Sequence, residues 1–269
     1  MTSTSLEMID QLANVLWHAQ AARIACAQPS AMAARLSVED AYAIQSQNIA
    51  RRMREGNLND GPTSLLGYKI GLTSKAIQSW LGVDQPDFGT LLDEMLVYEG
   101  FALPIAKLLQ PRAEAEVAFV LKRALRGPGV TCAAVMAATD FVLPAIEIID
   151  SRIADWKITY ADTIADNASS GMFVLGNNPV RLRNLDLRLA GMTLRKNGAV
   201  VATGAGAACL NHPINAVVWL ANTLGRLGVT LEPGHVILSG ALGPVTPVES
   251  GDWVEVDIAH LGRASVHFS

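Results

Sequence analysis

The amino-acid sequence predicts an α+β protein in which a helical N-terminal region precedes a larger core of mixed β-sheet. Three observations lead to this prediction. Apolar residues recur at helical spacing over about the first 60 residues. Short segments with period-two alternation, separated by turn residues, follow from about residue 65 onward. These segments are not separated by regular helical stretches, so they indicate mixed sheets rather than a βαβ repeat.

The helical region is expected to cover residues 1–62. Ser37 and Asp40 have the spacing of a capping box, in which a hydroxyl at the N-cap and an acid three residues later bind free backbone N–H groups. Four apolar residues then fall on one helical face: Val38, Tyr42, Ile49 and Met53. Turn-forming residues end this helix: Gly56, Asn57, Asn59, Gly61 and Pro62. The region has no obvious catalytic residue, so we expect a cap or an oligomerisation segment.

The β core is expected to cover residues 63–269. Alternating or continuous apolar segments predict strands at 65–72, 117–121, 141–149, 236–238 and 254–258. Helices are expected at 132–139 and 211–224, the second with Pro213 in its first turn. The dipeptide Asn197-Gly198 lies between two strand-like segments and is the strongest hairpin signal in the chain.

Charge and hydropathy exclude two classes of partner. The chain has 269 residues, of which 17% are charged, and its net charge is −4. No block of five or more basic residues occurs, which argues against a nucleic-acid-binding surface. The mean hydropathy is +0.27, but apolar runs such as 141–146 and 216–221 are far shorter than the ~20 residues that span a bilayer. We therefore expect no nucleic-acid partner and no membrane association.

The N-terminal residues and the cysteines predict a cytoplasmic protein. No lysine or arginine precedes Arg23, and Glu7 and Asp10 lie where a signal peptide would be basic and then apolar. The cysteines are odd in number and far apart, which argues against a disulfide framework or a CxxC metal site. These residues are Cys26, Cys132 and Cys209. We expect them to be buried free thiols in a reducing compartment.

Motifs for several common chemistries are absent from the sequence. HExxH, GxSxG and the Walker loop do not occur, and the five histidines form no chelating pair. The segment Gly204-Ala205-Gly206 resembles the start of a dinucleotide-binding fingerprint, but the third glycine is missing and the segment follows a hairpin. Hydride transfer and nucleotide hydrolysis are therefore poor interpretations of this chain.

Three glutamates form the clearest candidate site. Glu114 and Glu116 are two residues apart in a predicted strand, so both side chains project from one face, roughly 6.5–7 Å apart. Glu147 lies in a very apolar stretch, where an isolated carboxylate is costly to ionise. A hard divalent cation such as Mg²⁺ or Mn²⁺ would resolve both problems. The alternative is a solvated strand edge for the first two, with Glu147 paired to an arginine such as Arg152.

Lys69 and Asp87 are candidates for contact with the substrate or for proton transfer. Lys69 lies in a strand-like segment between Gly67 and Gly71, and glycines allow another group to approach the backbone closely. A lysine there could bind an anionic substrate or relay a proton, and the alternative is a strand-end lysine in solvent. Asp87 lies in a Pro/Gly turn (QPDFG), where most aspartates cap backbone N–H groups.

Six segments, in order along nearly the whole chain, together resemble the 2-keto-4-pentenoate hydratase family of the fumarylacetoacetate hydrolase superfamily. They are GYKIGLTS (67–74), VDQPDFGT (83–90), LLQPRAEAEVAFV (108–120), LPAIEIIDSRIADW (143–156), DTIADNASSG (162–171) and VILSGALGP (236–244). The related 4-oxalocrotonate decarboxylases share the ExE and ADNAS segments. The QPDFG and DSRIADW segments are more similar to those of the hydratases.

The resemblance implies a fold and a set of functional residues. Such proteins have an N-terminal helical region and a core of mixed β-sheets rolled around the active site. The family's residues correspond here to the metal ligands Glu114, Glu116 and Glu147, the catalytic residues Lys69 and Asp87, and the substrate-binding residues Leu72 and Ser239. Wider superfamily members often have threonine in place of Ser239, and the hydroxyl is kept. The implied cofactor is Mg²⁺ or Mn²⁺.

The resemblance also implies a reaction and its partners. The expected enzyme is a hydratase that adds water to 2-hydroxypenta-2,4-dienoate, from the meta-cleavage of aromatic rings, and forms 4-hydroxy-2-oxopentanoate. The expected partners are this substrate, further copies of the chain in a homo-oligomer, and a decarboxylase or aldolase of the same pathway. Three alternatives are decarboxylation of 4-oxalocrotonate, C–C hydrolysis of an acylpyruvate, and a non-catalytic binding or scaffold role.

Overall fold

A computed structural model of the chain describes residues 4–33, 35–56 and 62–269, apart from the side chains of Trp80 and Leu81. The helices are α1 (Leu6–Ala22), α2 (Pro29–Met32), α3 (Val38–Glu55), α4 (Lys75–Leu81), α5 (Cys132–Ala138), α6 (Tyr160–Ala165) and α7 (Pro213–Arg226). The strands are β1 (Leu65–Gly71), β2 (Asp87–Leu92), β3 (Leu96–Tyr98), β4 (Ala102–Leu103), β5 (Arg112–Leu121), β6 (Thr139–Ile149), β7 (Ser170–Leu175), β8 (Gly191–Lys196), β9 (Ala199–Ala205), β10 (Val236–Leu238), β11 (Thr246–Pro247), β12 (Trp253–Ile258) and β13 (Gly262–Phe268).

Two mixed β-sheets form the core, which confirms the predicted α+β class. The larger sheet has eight strands, in the order β2-β1-β10-β5-β6-β7-β3, with β11 also paired to β5. The smaller sheet has five strands, in the order β4-β13-β12-β8-β9. Parallel pairs such as β1–β10 and β3–β7 occur beside antiparallel pairs such as β5–β6. The long β5–β6 pair lies at the centre of the larger sheet and carries the candidate metal ligands.

The two faces of the larger sheet have different surroundings. One face contributes to the main apolar core, which also contains residues of β12, β13 and α7. From β5 and β6, this face supplies Val117, Phe119, Ile146 and Ile148. The other face carries a second apolar cluster, which includes Ala118, Leu143, Ala145, Phe173 and Leu238. Because residues two apart in a strand share a face, this second cluster lies directly beside Glu116 and Glu147.

Helix α3 begins where the sequence predicts, but its buried face differs from the predicted one. The Ser37 hydroxyl accepts a hydrogen bond from the Asp40 N–H, and the Asp40 carboxylate accepts one from the Ser37 N–H, which confirms the capping box. The buried residues are Asp40, Ala41, Ile44, Gln45 and Ile49. Met53, predicted on the apolar face, is exposed. The buried face instead includes the polar residue Gln45, whose side chain donates hydrogen bonds to two backbone carbonyls of the core.

The N-terminal helices share a third apolar cluster with the later part of the chain. This cluster includes Ile9, Leu12, Ile44, Ile153 and Ile164. Helix α3 ends at Glu55, and Gly56 follows with a φ of 70°. The predicted turn residues Asn57, Asn59 and Gly61 lie outside the described residues. The N-terminal helices therefore pack directly against the core. The division of the chain into residues 1–62 and 63–269 stays a prediction.

The three cysteines are free, as predicted, but they differ in exposure. Cys209 is buried, Cys26 is half-buried and Cys132 is exposed. The expectation of buried thiols is therefore wrong for Cys132, because this first residue of α5 faces solvent. In the part of the chain described here, no helix combines the length and apolar character needed to cross a membrane.

The predicted hairpin and the glycine-rich segment after it are both explained by backbone geometry. Asn197 and Gly198 have φ values of 53° and 80° between β8 and β9, as a two-residue turn of this type requires. A Cβ atom at Gly204 would overlap with the Leu242 carbonyl, and one at Gly206 would overlap with another backbone carbonyl. These glycines therefore permit close packing of chain segments.

The close approach at Gly204 predicts a large cost for adding one methyl group. Gly204→Ala should lower the free energy of unfolding by about 2 kcal/mol or more, because the Leu242 backbone must move. Gly191→Ala on the neighbouring strand is the matched control, since its Cβ would meet no heavy atom within 4 Å. That variant should stay within about 0.5 kcal/mol of the original protein. Denaturant unfolding checks both, and equal stability of the two variants would contradict the packing role.

Candidate active site and metal centre

Three glutamates converge on one face of the larger sheet. Glu114 and Glu116 lie on β5, and Glu147 lies on β6 directly opposite Glu114 in the strand register. One oxygen from each carboxylate lies within 4.8 Å of the others, a spacing at which all three could bind one ion. The strand period places the first two on one face, as the sequence predicts. The antiparallel pairing adds the third, which spacing along the chain could not place.

The glutamates do not lie on a solvated edge. Glu116 and Glu147 are buried, whereas Glu114 is partly exposed. Glu116 Oε2 accepts a hydrogen bond from the Gly240 N–H (2.7 Å). Glu116 Oε1 and both oxygens of Glu147 have no hydrogen-bond partner among the described residues. Arg152, the alternative partner of Glu147, forms an ion pair with a different carboxylate. Both parts of the alternative interpretation are therefore wrong.

Lys69 is the buried cation beside this cluster. It lies on β1 and is only 3% exposed, so the alternative of a solvent-exposed strand-end lysine is wrong. Its Nζ lies 3.1 Å from Glu147 Oε1, an ion-pair distance without hydrogen-bond alignment, and donates to the Ala168 carbonyl at 3.0 Å. Burial by itself lowers the pKa of Lys69, but Glu147 and the other nearby carboxylates outweigh burial and raise the pKa. Lys69 is therefore charged at neutral pH.

Asp87 is the second buried acid–base candidate. It begins β2 opposite Gly71 of β1, and it is 1% exposed. Its Oδ2 accepts a hydrogen bond from the Thr163 hydroxyl (3.3 Å), and its Oδ1 has no partner among the described residues. The carboxylate fills the space that a Cβ at Gly71 would take, close to Lys69 Nζ. The capping alternative is wrong, because this side chain points into the site. Burial raises the pKa of Asp87, and the Lys69 charge only partly opposes burial.

The electrostatics of the cluster favour a bound cation. Three buried carboxylates, the partly exposed Glu114 carboxylate and one buried ammonium group share the site. Burial and the charge of Glu147 raise the pKa of Glu114 to about 7 and raise the pKa of Glu116 well above its ordinary value. A divalent cation fits this donor set, because its charge offsets the repulsion and the unpartnered oxygens of Glu116 and Glu147 are hard ligands.

Leu72 and Ser239 lie in turns that adjoin the site. Leu72 follows β1 with a φ of 56°, and its carbonyl accepts a hydrogen bond from the Gln78 side chain (2.8 Å). Ser239 follows β10 and is completely buried. Its hydroxyl donates to the Gly240 carbonyl (3.3 Å), and the Gly240 N–H binds Glu116. The substrate-binding roles of Leu72 and Ser239 stay predictions.

The sequence reasoning missed two backbone supports of the site. Gly240 has a φ of 106°, and its N–H orients Glu116. Residues 167–169 are three consecutive non-glycine residues with positive φ, at 54°, 50° and 52°. This left-handed turn directs the Ala168 carbonyl at Lys69. The DTIADNASSG segment marked the region, but residue types alone did not reveal its conformation.

Buried side chains hold the left-handed turn in place. Arg152 donates to the Asp166 carboxylate (2.5 Å), to the Asp166 carbonyl (2.6 Å) and to the Ser170 carbonyl (2.8 Å). The Asn167 side chain forms two hydrogen bonds with the backbone of Thr90, at 2.7 and 2.9 Å. Sparsely populated backbone conformations persist only where surrounding contacts determine them. These contacts therefore keep the carbonyl that faces the lysine in position.

Comparison with known proteins now assigns the family. The family described as Fumarylacetoacetate (FAA) hydrolase C-terminal matches residues 75–268. The chain belongs to the fumarylacetoacetate hydrolase family. It is 51% identical over 233 residues to a 2-keto-4-pentenoate hydratase of Paraburkholderia xenovorans (strain LB400), covering 87% of this chain and 84% of that relative. It is 45% identical over 261 residues to the TodF product hydratase of Pseudomonas putida, covering 97% and 95% of the two chains.

A solved structure of this family has the same fold over the full length. The 4-oxalocrotonate decarboxylase from Pseudomonas putida G7, complexed with magnesium and adipate, is similar with a TM-score of 0.90 and 35% sequence identity. The similarity covers 100% of both chains. The predicted family-type β core with an N-terminal helical region is thereby confirmed.

The raised pKa of Glu114 predicts how the metal-free protein responds to pH. A folded-state pKa of about 7, against an ordinary value of 4.5, means that the folded state binds more protons than the unfolded state in this window. Stability without metal should therefore fall as the pH rises from about 4.5 to about 7. Glu114→Gln should reduce this fall, whereas Glu249→Gln, at an exposed glutamate, should not.

Thermal unfolding in the presence of a chelator, measured across this pH range, checks the prediction. Added Mg²⁺ should stabilise the original protein more at high pH than at low pH, because binding requires ionised ligands. The same pH dependence in the original protein and in Glu114→Gln would contradict the assignment of the titration to the cluster.

Proposed function

We propose that this family member is a hydro-lyase that adds water to 2-hydroxypenta-2,4-dienoate and forms 4-hydroxy-2-oxopentanoate in aromatic meta-cleavage catabolism. One observation carries the proposal. On a chain 51% identical to a 2-keto-4-pentenoate hydratase, the fold gathers a buried carboxylate cluster with a lysine and an aspartate beside it. These residues are Glu114, Glu116, Glu147, Lys69 and Asp87. Because the set is complete, a non-catalytic scaffold role is a poor explanation.

Glu114, Glu116 and Glu147 hold a divalent metal ion in this proposal. The magnesium complex of the decarboxylase with the same fold supports a divalent ion. A ligand set made only of carboxylate oxygens favours Mg²⁺ or Mn²⁺ over softer metals. When bound, the ion supplies positive charge that stabilises negative charge on the C2 oxygen of the substrate.

Lys69 and Asp87 carry out the proton transfers. The reaction needs the enol proton removed from the C2 oxygen and a proton delivered to C5. It then needs a proton removed from the water that adds at C4 and a proton delivered to C3. Burial raises the pKa of Asp87 above its ordinary value, which makes this carboxyl group a better proton acceptor. Because Lys69 is charged beside Glu147, it enters the reaction as a proton donor and also stabilises anionic character in the substrate.

Leu72 and Ser239 bind the substrate in this proposal, Leu72 through its backbone and Ser239 at the carboxylate end. The turn at Leu72 is held by Gln78, so its backbone is presented in one conformation. The buried hydroxyl of Ser239 lies one residue from the N–H group that binds Glu116. Ser239 is therefore next to the proposed metal site, and Leu72 follows Gly71, which lies against Asp87.

Decarboxylation of 4-oxalocrotonate is the second candidate, because a decarboxylase has the same fold with a TM-score of 0.90. The same cluster could serve both reactions, since each stabilises negative charge on a C2 oxygen. The higher identity to hydratases, 51% against 35%, favours hydration. Hydrolysis of an acylpyruvate would need a histidine to activate water, and His18, the only histidine of the N-terminal region, is exposed on α1.

Product analysis tests the reaction directly. Purified protein with Mg²⁺ and freshly generated 2-hydroxypenta-2,4-dienoate should remove the ultraviolet absorbance of the diene and give a product heavier by one water. Chelation should abolish turnover, and a comparison of Mg²⁺ with Mn²⁺ for reactivation decides the preferred ion. If the protein instead converts 4-oxalocrotonate to a product lighter by CO₂ and leaves the dienoate unchanged, the second candidate replaces the first.

Glu116→Gln tests the metal cluster. The change keeps size and removes one charge, so Mg²⁺ affinity should fall at least about tenfold. The value of kcat/KM should fall on the order of a hundredfold, and excess metal should not restore it fully. The metal-free fold should hold, because neutralising one carboxylate relieves repulsion.

Calorimetric Mg²⁺ titration checks the affinity and turnover assays check kcat/KM, with Glu249→Gln as the control variant. Unchanged turnover at limiting Mg²⁺ would exclude Glu116 from the site.

We also propose that the chain forms a cytoplasmic homo-oligomer that associates with a decarboxylase or aldolase of the same pathway. Tyr98 and Phe101 are each 69% exposed and pack edge to face, 6.4 Å apart. Exposed aromatic residues are enriched at protein interfaces, which favours an oligomer. The three free cysteines suit a reducing compartment such as the cytoplasm.

Light scattering should give a multiple of 28.6 kDa. A stable monomer would contradict the oligomer, and failure to co-purify with either enzyme would contradict the complex.

A further inference from the structure

The Asp87 carboxylate is held by a single hydroxyl group. Among the described residues, its one side-chain hydrogen bond comes from Thr163 Oγ1 to Oδ2, at 3.3 Å. The other oxygen, Oδ1, is buried without a hydrogen-bond partner and lies on the side of Gly71 and Lys69. A carboxylate with one anchored and one free oxygen has a defined orientation. The free oxygen is the one that faces the proposed reaction.

Thr163 is itself in a fixed position. It lies in the short helix α6, which begins with a capping box between Thr159 and Asp162. Asp162 also accepts hydrogen bonds from the backbone and side chain of Ser30, at 2.8 and 2.7 Å, and these tie α6 to the N-terminal region. Thr163 is 4% exposed, and its hydroxyl lies 3.4 Å from the hydroxyl of Ser169 in the left-handed turn. The anchor therefore belongs to the rigid part of the site.

We propose that Thr163 is a positioning residue whose hydroxyl holds Asp87 Oδ2 and thereby directs Oδ1 towards the reacting substrate. This inference rests on the proposed function, in which Asp87 transfers a proton. It assigns to Thr163 no contact with the substrate or the metal. Its role is to fix which oxygen of Asp87 reacts and to favour the ionised carboxylate between turnovers.

The surroundings of Asp87 explain why one hydroxyl has a measurable effect. Lys69 on β1 is the cation whose charge lowers the pKa of Asp87, and Glu147 on β6 is a like charge that raises it. The hydroxyl groups of Tyr42 on α3 and Tyr160 on α6 also lie within its electrostatic reach. A hydrogen bond to the charged form lowers the pKa of a buried acid, so removing the Thr163 hydroxyl should raise the pKa of Asp87 further. Removal of this hydroxyl should also allow the Asp87 carboxylate to rotate.

Thr163→Val and Thr163→Ser test the proposal as a matched pair. Valine keeps the shape and removes the hydroxyl, whereas serine keeps the hydroxyl and removes a methyl group. In the Mg²⁺-loaded enzyme, Thr163→Val should lower kcat about ten- to a hundredfold, because misplaced catalytic groups cost this much. KM and the calorimetric Mg²⁺ affinity should stay within about twofold, because neither ground-state binding nor the metal ligands change.

The pH profile distinguishes positioning from a structural role. In Thr163→Val, the limb of the kcat/KM profile governed by Asp87 should move to higher pH, and Thr163→Ser should restore both the profile and most of kcat. A valine variant with the original kcat and profile would overturn the proposal. So would a serine variant as impaired as the valine one, because loss of the methyl group alone would then explain the defect.

A second measurement decides the matter without turnover. Carboxyl ¹³C NMR of Mg²⁺-loaded protein, assigned with Asp87→Asn, follows the titration of Asp87 directly. A higher pKa in Thr163→Val than in the original protein and in Thr163→Ser supports the anchor, and equal values in all three overturn it. If the original protein does not hydrate the dienoate, the proposed function fails, while this titration still tests the contact between Thr163 and Asp87.

Discussion

The repulsion among four carboxylates, three of them buried, is the constraint on which the rest of this structure depends. Lys69 offsets part of it through Glu147, while burial and the charge of Glu147 raise the pKa values of Glu114 and Glu116. A protein interior accepts such a charge cluster only when a cation or protons compensate it. The features that make the site costly to the fold are therefore the same features that favour a divalent ion and shift the pKa values of the buried acid–base groups.

The surrounding fold keeps this unfavourable cluster in one geometry. The β5–β6 register places Glu147 opposite Glu114, and the apolar cluster on the same face of the sheet excludes water beside them. Backbone segments with positive φ supply the hydrogen bonds to the charged side chains. The Gly240 N–H donates to Glu116, and the left-handed turn at 167–169 presents a carbonyl to Lys69. Arg152 holds that turn with three side-chain hydrogen bonds. Residues that take no part in the proposed reaction thus hold both the charged side chains and the left-handed turn in place.

Local pattern was sufficient for several elements of the fold and for the candidate carboxylates, whereas the full set of site residues is what the family resemblance implies. The Ser37–Asp40 capping box, the Asn197-Gly198 hairpin and the common face of Glu114 and Glu116 depend on residues close in sequence, so residue types and spacing predict them. Lys69 was singled out by its flanking glycines. Its family role came from resemblance, because spacing alone allowed a solvated lysine as readily as a buried one.

Contacts between distant segments determined the rest. The buried face of α3 differs from the predicted one because it includes Gln45, which donates to backbone carbonyls of β2 and α6. Apolar spacing within the helix cannot predict these long-range hydrogen bonds. The local turn pattern around Asp87 favoured a cap, and only the family resemblance implied a catalytic role. Among the described residues, its one side-chain hydrogen bond comes from α6, 76 residues later. The sequence alone determined which chemical groups this protein has and which neighbours along the chain share a face. The tertiary structure determined which groups are buried together, because burial and long-range pairing set the charge, orientation and pKa of each group.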